Sequence, residues 1–419
     1  MHKNLFKKIP FFLLLLVSSI TYAQEDYRLM FYNLLNFPEA PPSNRTAILN
    51  DIVDDVQPDI FMVCELQNET AANLILNDVL NDNQDVTYAM PDFVPNTSSS
   101  FQELQQHIYF DESKFSLHFT DIIETQLRDI NYYQLEVLNN EAEDALYLDI
   151  FVAHLKAAQG TTNEVIRSNM VDDFTTYLAG LPDDSHVIFA GDFNFYTANE
   201  SAFLQLVMGQ SSVLFSDPIN AVGDWNNNAT FANVHTQSTR TSNNNFDDFG
   251  AGGGMDDRFD FIMVSNNIMD SNNSIVYKED SYVAYGNNGN CYNKNISDSS
   301  CSGTFSQATR NLLYLMSDHL PVVMEVTNTD ASLSASTWNA STEIIEFPKG
   351  NLVSNQLHIN LNPEFTNQNE ISIFDNLGKR LFTASTHLST QKIDVSHFSK
   401  GVYFIKISGF PKTYKFVKQ

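Results

Sequence analysis

Basic residues are scarce. Across 419 residues, 23 Lys and Arg stand against 51 Asp and Glu, for a formal net charge of −28. The shortage is uneven. Residues 345–419 hold nine Lys/Arg and five Asp/Glu, and residues 1–23 hold three lysines and no acid. That leaves eleven basic against forty-six acidic side chains in residues 24–344. So acidic a body repels polyanions at long range, which argues against a dedicated nucleic-acid binder. It does not exclude an enzyme that meets phosphates through bound divalent cations, because those invert the local field. Charge alone fits such a hydrolase and a merely soluble exported domain equally well.

Cysteine is almost absent. Cys64, inside the apolar run "IFMVCEL", reads as a buried free thiol. Cys291 and Cys301 flank a short polar loop, where a disulfide is expected in an oxidising compartment. No histidine lies near that pair, so a zinc site has little support. Long hydrophobic runs are missing too, with one exception. Residues Ile9–Ile20 are apolar, preceded by Lys3, Lys7 and Lys8 and followed by small residues ending at Ala23. The run is short for a membrane anchor and has the layout of a secretory signal peptide cleaved after Ala23. No later segment approaches spanning length, so a stable membrane span is not expected.

From Tyr27 onward, short apolar runs alternate with helical patterns. "YRLMFYNLLNF" reads as a strand leading into a loop at Asn33–Pro38. "NRTAILNDIVDDVQ" sets Ile48, Leu49, Ile52, Val53 and Val56 on one helical stripe, with Pro58 just past its end. "DIFMVCEL" is a buried strand, and "HIYFDESKFSLHF" and the segments around "YYQLEV" and "LYLDIFVAHL" are strands joined by turns. "NEVIRSNMVDDFTTYLAGL" carries Val165, Ile166, Met170, Phe174, Tyr177 and Leu178 at helical spacing. "RFDFIMVS" and "LPVVMEV" complete the strands. The pattern predicts mixed sheets with helices packed outside. Residues 222–257 are rich in Asn and Gly and read as a long polar loop over the sheet end; such loops are often functional. Residues 329–344 have the composition of a linker. Beyond them, alternation and turn signals predict a separate small all-β sandwich over 345–419.

The stretch "VIFAGDFNFY", residues 187–196, ends an apolar run with Asp192 and Asn194 two positions apart. In an extended chain those two side chains share a face, although Gly, Asp and Asn also suit an ordinary turn. The same habit recurs: Asn33 follows "LMFY", Glu65 ends "IFMVC", His154 ends "LDIFVA", Asp260 sits in "RFDFIMV", and Asp318–His319 precede "LPVVMEV". Each alone is a solvated acid or a structural histidine. Together they fall where the loops of a layered α/β domain converge on one rim, and ligand sites usually lie there.

"FYNLLNF", "PDIFMVCELQ", "VAHLK", "AGDFNF", "RFDFIMVS" and "SDHLPV", in this order, resemble the endonuclease/exonuclease/phosphatase superfamily, the fold of pancreatic-type deoxyribonuclease. The resemblance covers about residues 27–327 and implies a four-layer α/β/β/α sandwich. It also implies a divalent cation, Mg²⁺ with Mn²⁺ or Ca²⁺ as alternatives, held by Glu65 with Asn33 and Asp318 near it. By the same resemblance Asp192 orients or deprotonates water and Asn194 holds that water or a phosphate oxygen. His154 and His319 donate to the non-bridging oxygens, and Asp260 fixes His319. Arg128 and Lys156 are weaker matches to phosphate-contacting cations, each read equally well as an ordinary surface charge.

A second resemblance covers about residues 352–419. "NLGKRLF", "VSHFSKGVYFIKI" and "KTYKFVKQ" look like the sorting domain of the type IX secretion system, which implies that machinery as a partner. A carbohydrate- or protein-binding sandwich is the alternative. The domains expected are thus a signal peptide at 1–23, a phosphoesterase-like body at 24–328, a linker at 329–344 and a sorting domain at 345–419. The function implied is a secreted or cell-surface, metal-dependent nuclease or phosphodiesterase, acting as a monomer on DNA or RNA. A sphingomyelinase-like lipid phosphodiesterase, a small-ester phosphatase and an inactive adhesion module are the alternatives.

Overall fold

A computed structural model describes residues 24–82, 86–98, 104–138, 140, 145–331, 345–361, 370–375, 379–385, 390–407 and 413–419. The expected signal peptide and most of the expected linker, residues 332–344, lie outside them. The chain divides into two compact units, residues 1–333 and 334–419.

In the first unit, β1 is Glu25–Phe37, α1 Arg45–Val56, β2 Ile60–Leu66 and α2 Glu69–Ile75. Then come β3 (Tyr88–Ala89), β4 (Gln105–Asp111), β5 (Phe115–Ile123), β6 (Ile130–Val137), β7 (Tyr147–His154), α3 (Thr161–Leu178), β8 (His186–Asp192), α4 (Ser201–Met208) and β9 (Phe215–Ser216). β10 (Asp260–Ser265), α5 (Asn266–Met269), β11 (Ile275–Tyr277), β12 (Val283–Ala284), α6 (Gln307–Met316) and β13 (Val322–Asn328) complete it. One sheet runs β11-β13-β1-β2-β4-β3, with β12 also on β13; the other runs β5-β6-β7-β8-β10-β9.

Strand alternation builds the layers. On β1, Tyr27, Leu29 and Phe31 join one apolar cluster while Met30, Tyr32 and Leu34 join another. Ile188 and Ala190 on β8 share the first cluster, whereas Val187 and Phe189 pack with Met170 and Phe174 of α3. The first cluster therefore lies between the sheets, and the other two lie under α1 and α6 on one side and α3 and α4 on the other. This is a four-layer α/β/β/α sandwich. Apolar side chains alternating in and out on a strand can only be buried on both faces if each sheet is covered twice.

Two local expectations need correction. β1 does not break at Asn33 but continues to Phe37, with its register to β2 shifting between Asn33 and Phe37 and positive φ at Leu35 and Asn36. On α3, Val165 is 52% exposed, and Arg167 and Val171 take places on the buried stripe. Arg167 is accommodated there because Glu200 accepts from its Nε at 2.7 Å. The polar segment 222–257 packs on its own buried side chains, with Trp225, His235 and Arg240 within it all buried. Cys64 is a buried free thiol, and Cys291 and Cys301 form a disulfide.

The second unit pairs Ile345–Glu346, Gln356–Leu361 and Thr390–Asp394 in one sheet. Leu352–Val353, Thr413–Lys418, Gly401–Ile407, Glu370–Phe374 and Arg380–Ser385 form the other. Leu357, Ile359, Ile371, Ile393, Ile405 and Phe416 share one core, so the two sheets make a small all-β sandwich.

Candidate active site

The site is the polar end of the inter-sheet layer. Asn33 follows Tyr27, Leu29 and Phe31 on the inward face of β1, and His154 follows Leu148, Ile150 and Val152 on β7. Asp192 follows Ile188 and Ala190 on β8, and Asp260 precedes Ile262 and Val264 on β10. Register aligns them: Asp192 sits opposite His154 in the parallel β7–β8 pair and opposite Asp260 in the antiparallel β8–β10 pair. Gly191 lets these strands meet, since a Cβ there would lie 2.2 Å from the Ala153 carbonyl oxygen.

Glu65 is the exception that a strict period of two misses. Phe61 and Val63, which share its parity, face the helices. At Glu65 φ is +60°, and the β2–β4 register shifts between Val63 and Leu66. The bulge brings the carboxylate to Asn33 and the inward face. Asn194 likewise has φ of +52°, beyond the end of β8. It shares a side with Asp192 because the chain turns there, not because the strand continues. A left-handed non-glycine residue costs on the order of 1 kcal/mol or more, and such strain clusters at functional sites.

Asp192 is the hub. Its Oδ1 accepts from the Asn194 backbone N–H at 3.2 Å and from Asn194 Nδ2 at 2.7 Å. Its Oδ2 accepts from Asn33 Nδ2 at 3.1 Å and lies 3.4 Å from His154 Nε2 and 3.8 Å from His319 Nε2. Glu65 Oε1 accepts from the same Asn33 nitrogen at 3.0 Å, and Oε2 from the Asn36 N–H at 3.1 Å. Asp260 Oδ2 is 2.7 Å from His319 Nδ1. Asp318 Oδ2 accepts from the Ala251 N–H at 2.7 Å and from Gln237 Nε2 at 3.0 Å. Gly250 makes that approach possible: its φ is +80°, and a Cβ would lie 2.9 Å from Asp318 Cγ. Glu65, His154, Asp192, Asn194, Asp318 and His319 all line one cavity of about 830 Å³.

Electrostatically the cavity is short of cations. Burial pushes the Asp192 carboxyl up to about 7. Burial and the neighbouring Asp318 raise Glu65. Burial, with Arg128 and His319 adding to it, holds His154 well below the ordinary imidazole range, so that ring is neutral. Burial would depress His319 as well, but Asp260, Asp318 and Asp192 outweigh it and hold the imidazolium well above its usual range. Glu65, His154 and Asp192 each offer a ligand atom within 4.8 Å of the others. Two carboxylates raised by burial, beside a neutral imidazole whose Nδ1 has no partner among the described residues, fit a divalent cation.

The remaining assignments fall out differently. Asn33 presents its amide nitrogen to both carboxylates, while its oxygen accepts from the Leu35 N–H at 3.0 Å. Here it joins the two acids rather than offering an oxygen to an ion. Asp318 lies outside the Glu65 group of ligand atoms and is tied to Ala251 and Gln237. Arg128 lines the cavity but is buried, with Nε donating to the His154 carbonyl at 2.7 Å and Nη2 to the Leu155 carbonyl at 2.5 Å. Lys156 is not part of the wall; its Nζ donates to the Ala157 carbonyl at 2.8 Å. Sequence reading missed Gln237, whose Nε2 is also 2.6 Å from His319 Nε2, and the aromatic pair Tyr196 and Phe259 in the cavity wall. Gln237 lies in the polar segment 222–257, and nothing in its sequence neighbours singles it out.

Residues 351–419 match the family model described as secretion system C-terminal sorting domain. No curated protein matches the chain. Among solved structures, the human Nocturnin catalytic domain with bound sulfate anion is 17% identical with a TM-score of 0.45. That alignment covers 73% of this chain and 97% of the other. D. rerio TDP2 complexed with single strand DNA product is 14% identical with a TM-score of 0.46, covering 72% of this chain and 98% of that one. An endonuclease/exonuclease/phosphatase family protein from Bacteroides thetaiotaomicron is 14% identical with a TM-score of 0.42, covering 73% and 96%. No helix among the described residues is long and apolar enough to cross a membrane. The carboxy-terminal part of the chain, residues 351–419, is a secretion system sorting domain, which implies export or display at the cell surface.

Proposed function

We propose that residues 24–328 are an exported, divalent-metal-dependent phosphodiesterase acting on nucleotide phosphodiesters. In this reading residues 1–23 are a signal peptide and 345–419 address the type IX secretion machinery. The observation that carries it is the convergence in one cavity of Glu65, His154, Asp192, Asn194, Asp318 and His319, with Asp260 behind His319. In-line hydrolysis needs a positioned water, a base and donors aimed at the oxygens where charge develops. Asp192, protonatable near neutrality, takes the proton of the attacking water at Oδ2 while Asn194 fixes Oδ1. Oxygen of that water bonds to phosphorus as the P–O bond to the leaving group breaks. His319, kept as the imidazolium by Asp260, and neutral His154 donate to the non-bridging oxygens. Glu65 would anchor Mg²⁺ or a similar ion beside Asp192 and His154, and that ion would supply charge neutralisation at the phosphate.

The test is hydrolysis of bis(p-nitrophenyl) phosphate, the thymidine dinucleotide TpT and sphingomyelin by the mature chain, with Mg²⁺ and with chelator. The expected result is chelator-sensitive cleavage of the first two. Cleavage of sphingomyelin alone would move the assignment to lipid, and activity indifferent to chelator would remove the metal.

A further inference from the structure

The eleven Lys and Arg of residues 24–344 can be accounted for one by one, since all lie among the described residues. Arg45, Arg167, Arg240, Arg258 and Arg310 are buried. Arg167 and Arg258 pair with Glu200 and Asp217, and the other three donate to backbone carbonyls. Arg28, Lys114 and Lys278 are paired with Glu325, Asp59 and Asp26 in a cavity at the far end of β1. Arg128 is buried under the site, donating to two carbonyls. Two remain. Lys294 is exposed and bonds Ser300, while Lys156 stands beside Ala157 at the cavity rim.

A protein that tracks duplex DNA neutralises roughly six to ten phosphates with Lys or Arg. Of these eleven cations only Lys156 and Lys294 are neither buried nor paired with an acid, against a surplus of thirty-five negative charges. The cavity wall offers something else. Tyr196 packs edge-to-face on Phe259 with ring centres 4.9 Å apart, and the Arg167 guanidinium lies 5.6 Å from the Tyr196 ring centre. Both rings share the cavity with Asn194 and Asp192. Phe259 is buried and Tyr196 half-buried, so the Tyr196 ring, braced by Phe259 and beside the reacting groups, is the aromatic face open to a nucleobase, which stacks on such rings.

We propose that the site takes short nucleotide phosphodiesters carrying one or two phosphates, with a base against the Tyr196 ring, rather than long polynucleotides. The proposal rests on the phosphodiesterase reading above. Lys156, next to the wall, meets the second phosphate.

The experiment compares kcat/KM of the mature full chain for TpT, for 5′-phosphorylated TpT, for a dialkyl phosphodiester and for plasmid DNA, from about 20 to 300 mM salt. The expected result is at least about tenfold higher kcat/KM on the dinucleotides than per site on plasmid. Dinucleotide rates should be nearly flat in salt, and the plasmid rate should rise as screening relieves repulsion. Tyr196→Ala should shrink the ratio of TpT to dialkyl ester about tenfold, and Lys156→Gln should erase the preference for the 5′-phosphate. A plasmid rate that exceeds the dinucleotide rate and falls with a log–log salt slope of about −3 or steeper would overturn the size class while leaving the phosphodiesterase standing. A chain that cleaves none of the four with Mg²⁺ would overturn both.

Discussion

Two polar cavities sit at opposite ends of β1 and its neighbours, and they solve the burial of charge in opposite ways. At the first end, Arg28 meets Glu325 at 2.6 Å, Lys114 meets Asp59 at 2.7 Å and Lys278 meets Asp26 at 2.7 Å. The lysines and the arginine answer the carboxylates, and Asp26 and Glu325 are held below the usual carboxylate range by hydrogen bonds to Lys278 despite partial burial. At the other end, Glu65, Asp192, Asp260 and Asp318 face two histidines and a buried arginine that is turned toward backbone carbonyls. There the carboxyls of Asp192 and Glu65 are raised instead. A fold gains little by leaving acids uncompensated, so the second cavity is where another positive charge is expected to sit.

That contrast can be broken by substitution. Asp192→Asn and His319→Ala should each lower kcat by about two orders of magnitude or more, with KM changing less. At the other end, Arg28→Gln should leave kcat within about twofold. Comparable losses at both ends would mean that the measured effects report folding rather than chemistry. Gly250→Ala sharpens the point without touching a charge. The added methyl group pushes on Asp318, so turnover should fall between about ten- and a hundredfold. An unchanged rate would take Asp318 out of the reaction.

The raised Asp192 carboxyl also has a signature in stability. Its value is about 7 in the folded chain against 3.8 for the free group, so between those values the folded state binds the extra proton. In chelator, the wild-type chain should therefore lose stability relative to Asp192→Asn as pH rises from about 4 through 7. Thermal melts of the two proteins side by side check this, and parallel curves would contradict it. The smallest effect belongs to the compensated end. Arg28 is part exposed, so Arg28→Gln should cost no more than about 1 kcal/mol in denaturant unfolding.

Much of this was legible in the sequence, for a definite reason. Alternation along "YRLMFYNLL", "LDIFVAH" and "VIFAGD" assigns each strand two buried faces, and Asn33, His154 and Asp192 interrupt those faces at the same end. What the period could not give is where the chain departs from it. Glu65 reaches the site only through a left-handed residue in a bulge, and Asn194 only through a turn. Gln237 and Ala251 reach Asp318 from a segment with no periodic pattern, which the fold packs around Trp225 and Arg240. Arg128 read equally well as a phosphate contact and as an ordinary charge, because a charge in sequence carries no direction. In the fold its Nε and Nη2 are turned to the carbonyls of His154 and Leu155, while the residue still lines the cavity.

Under the proposed function, a dication held through Glu65 balances the carboxylates of the second cavity. Titration of the metal-free mature chain with Mn²⁺, followed by the loss of the free ion's paramagnetic resonance signal, tests it most directly. Wild type should bind one ion that Mg²⁺ displaces, and Glu65→Gln should bind at least about tenfold more weakly. Equal binding by wild type and Glu65→Gln, or none by either, would remove Glu65 as the anchor of an ion.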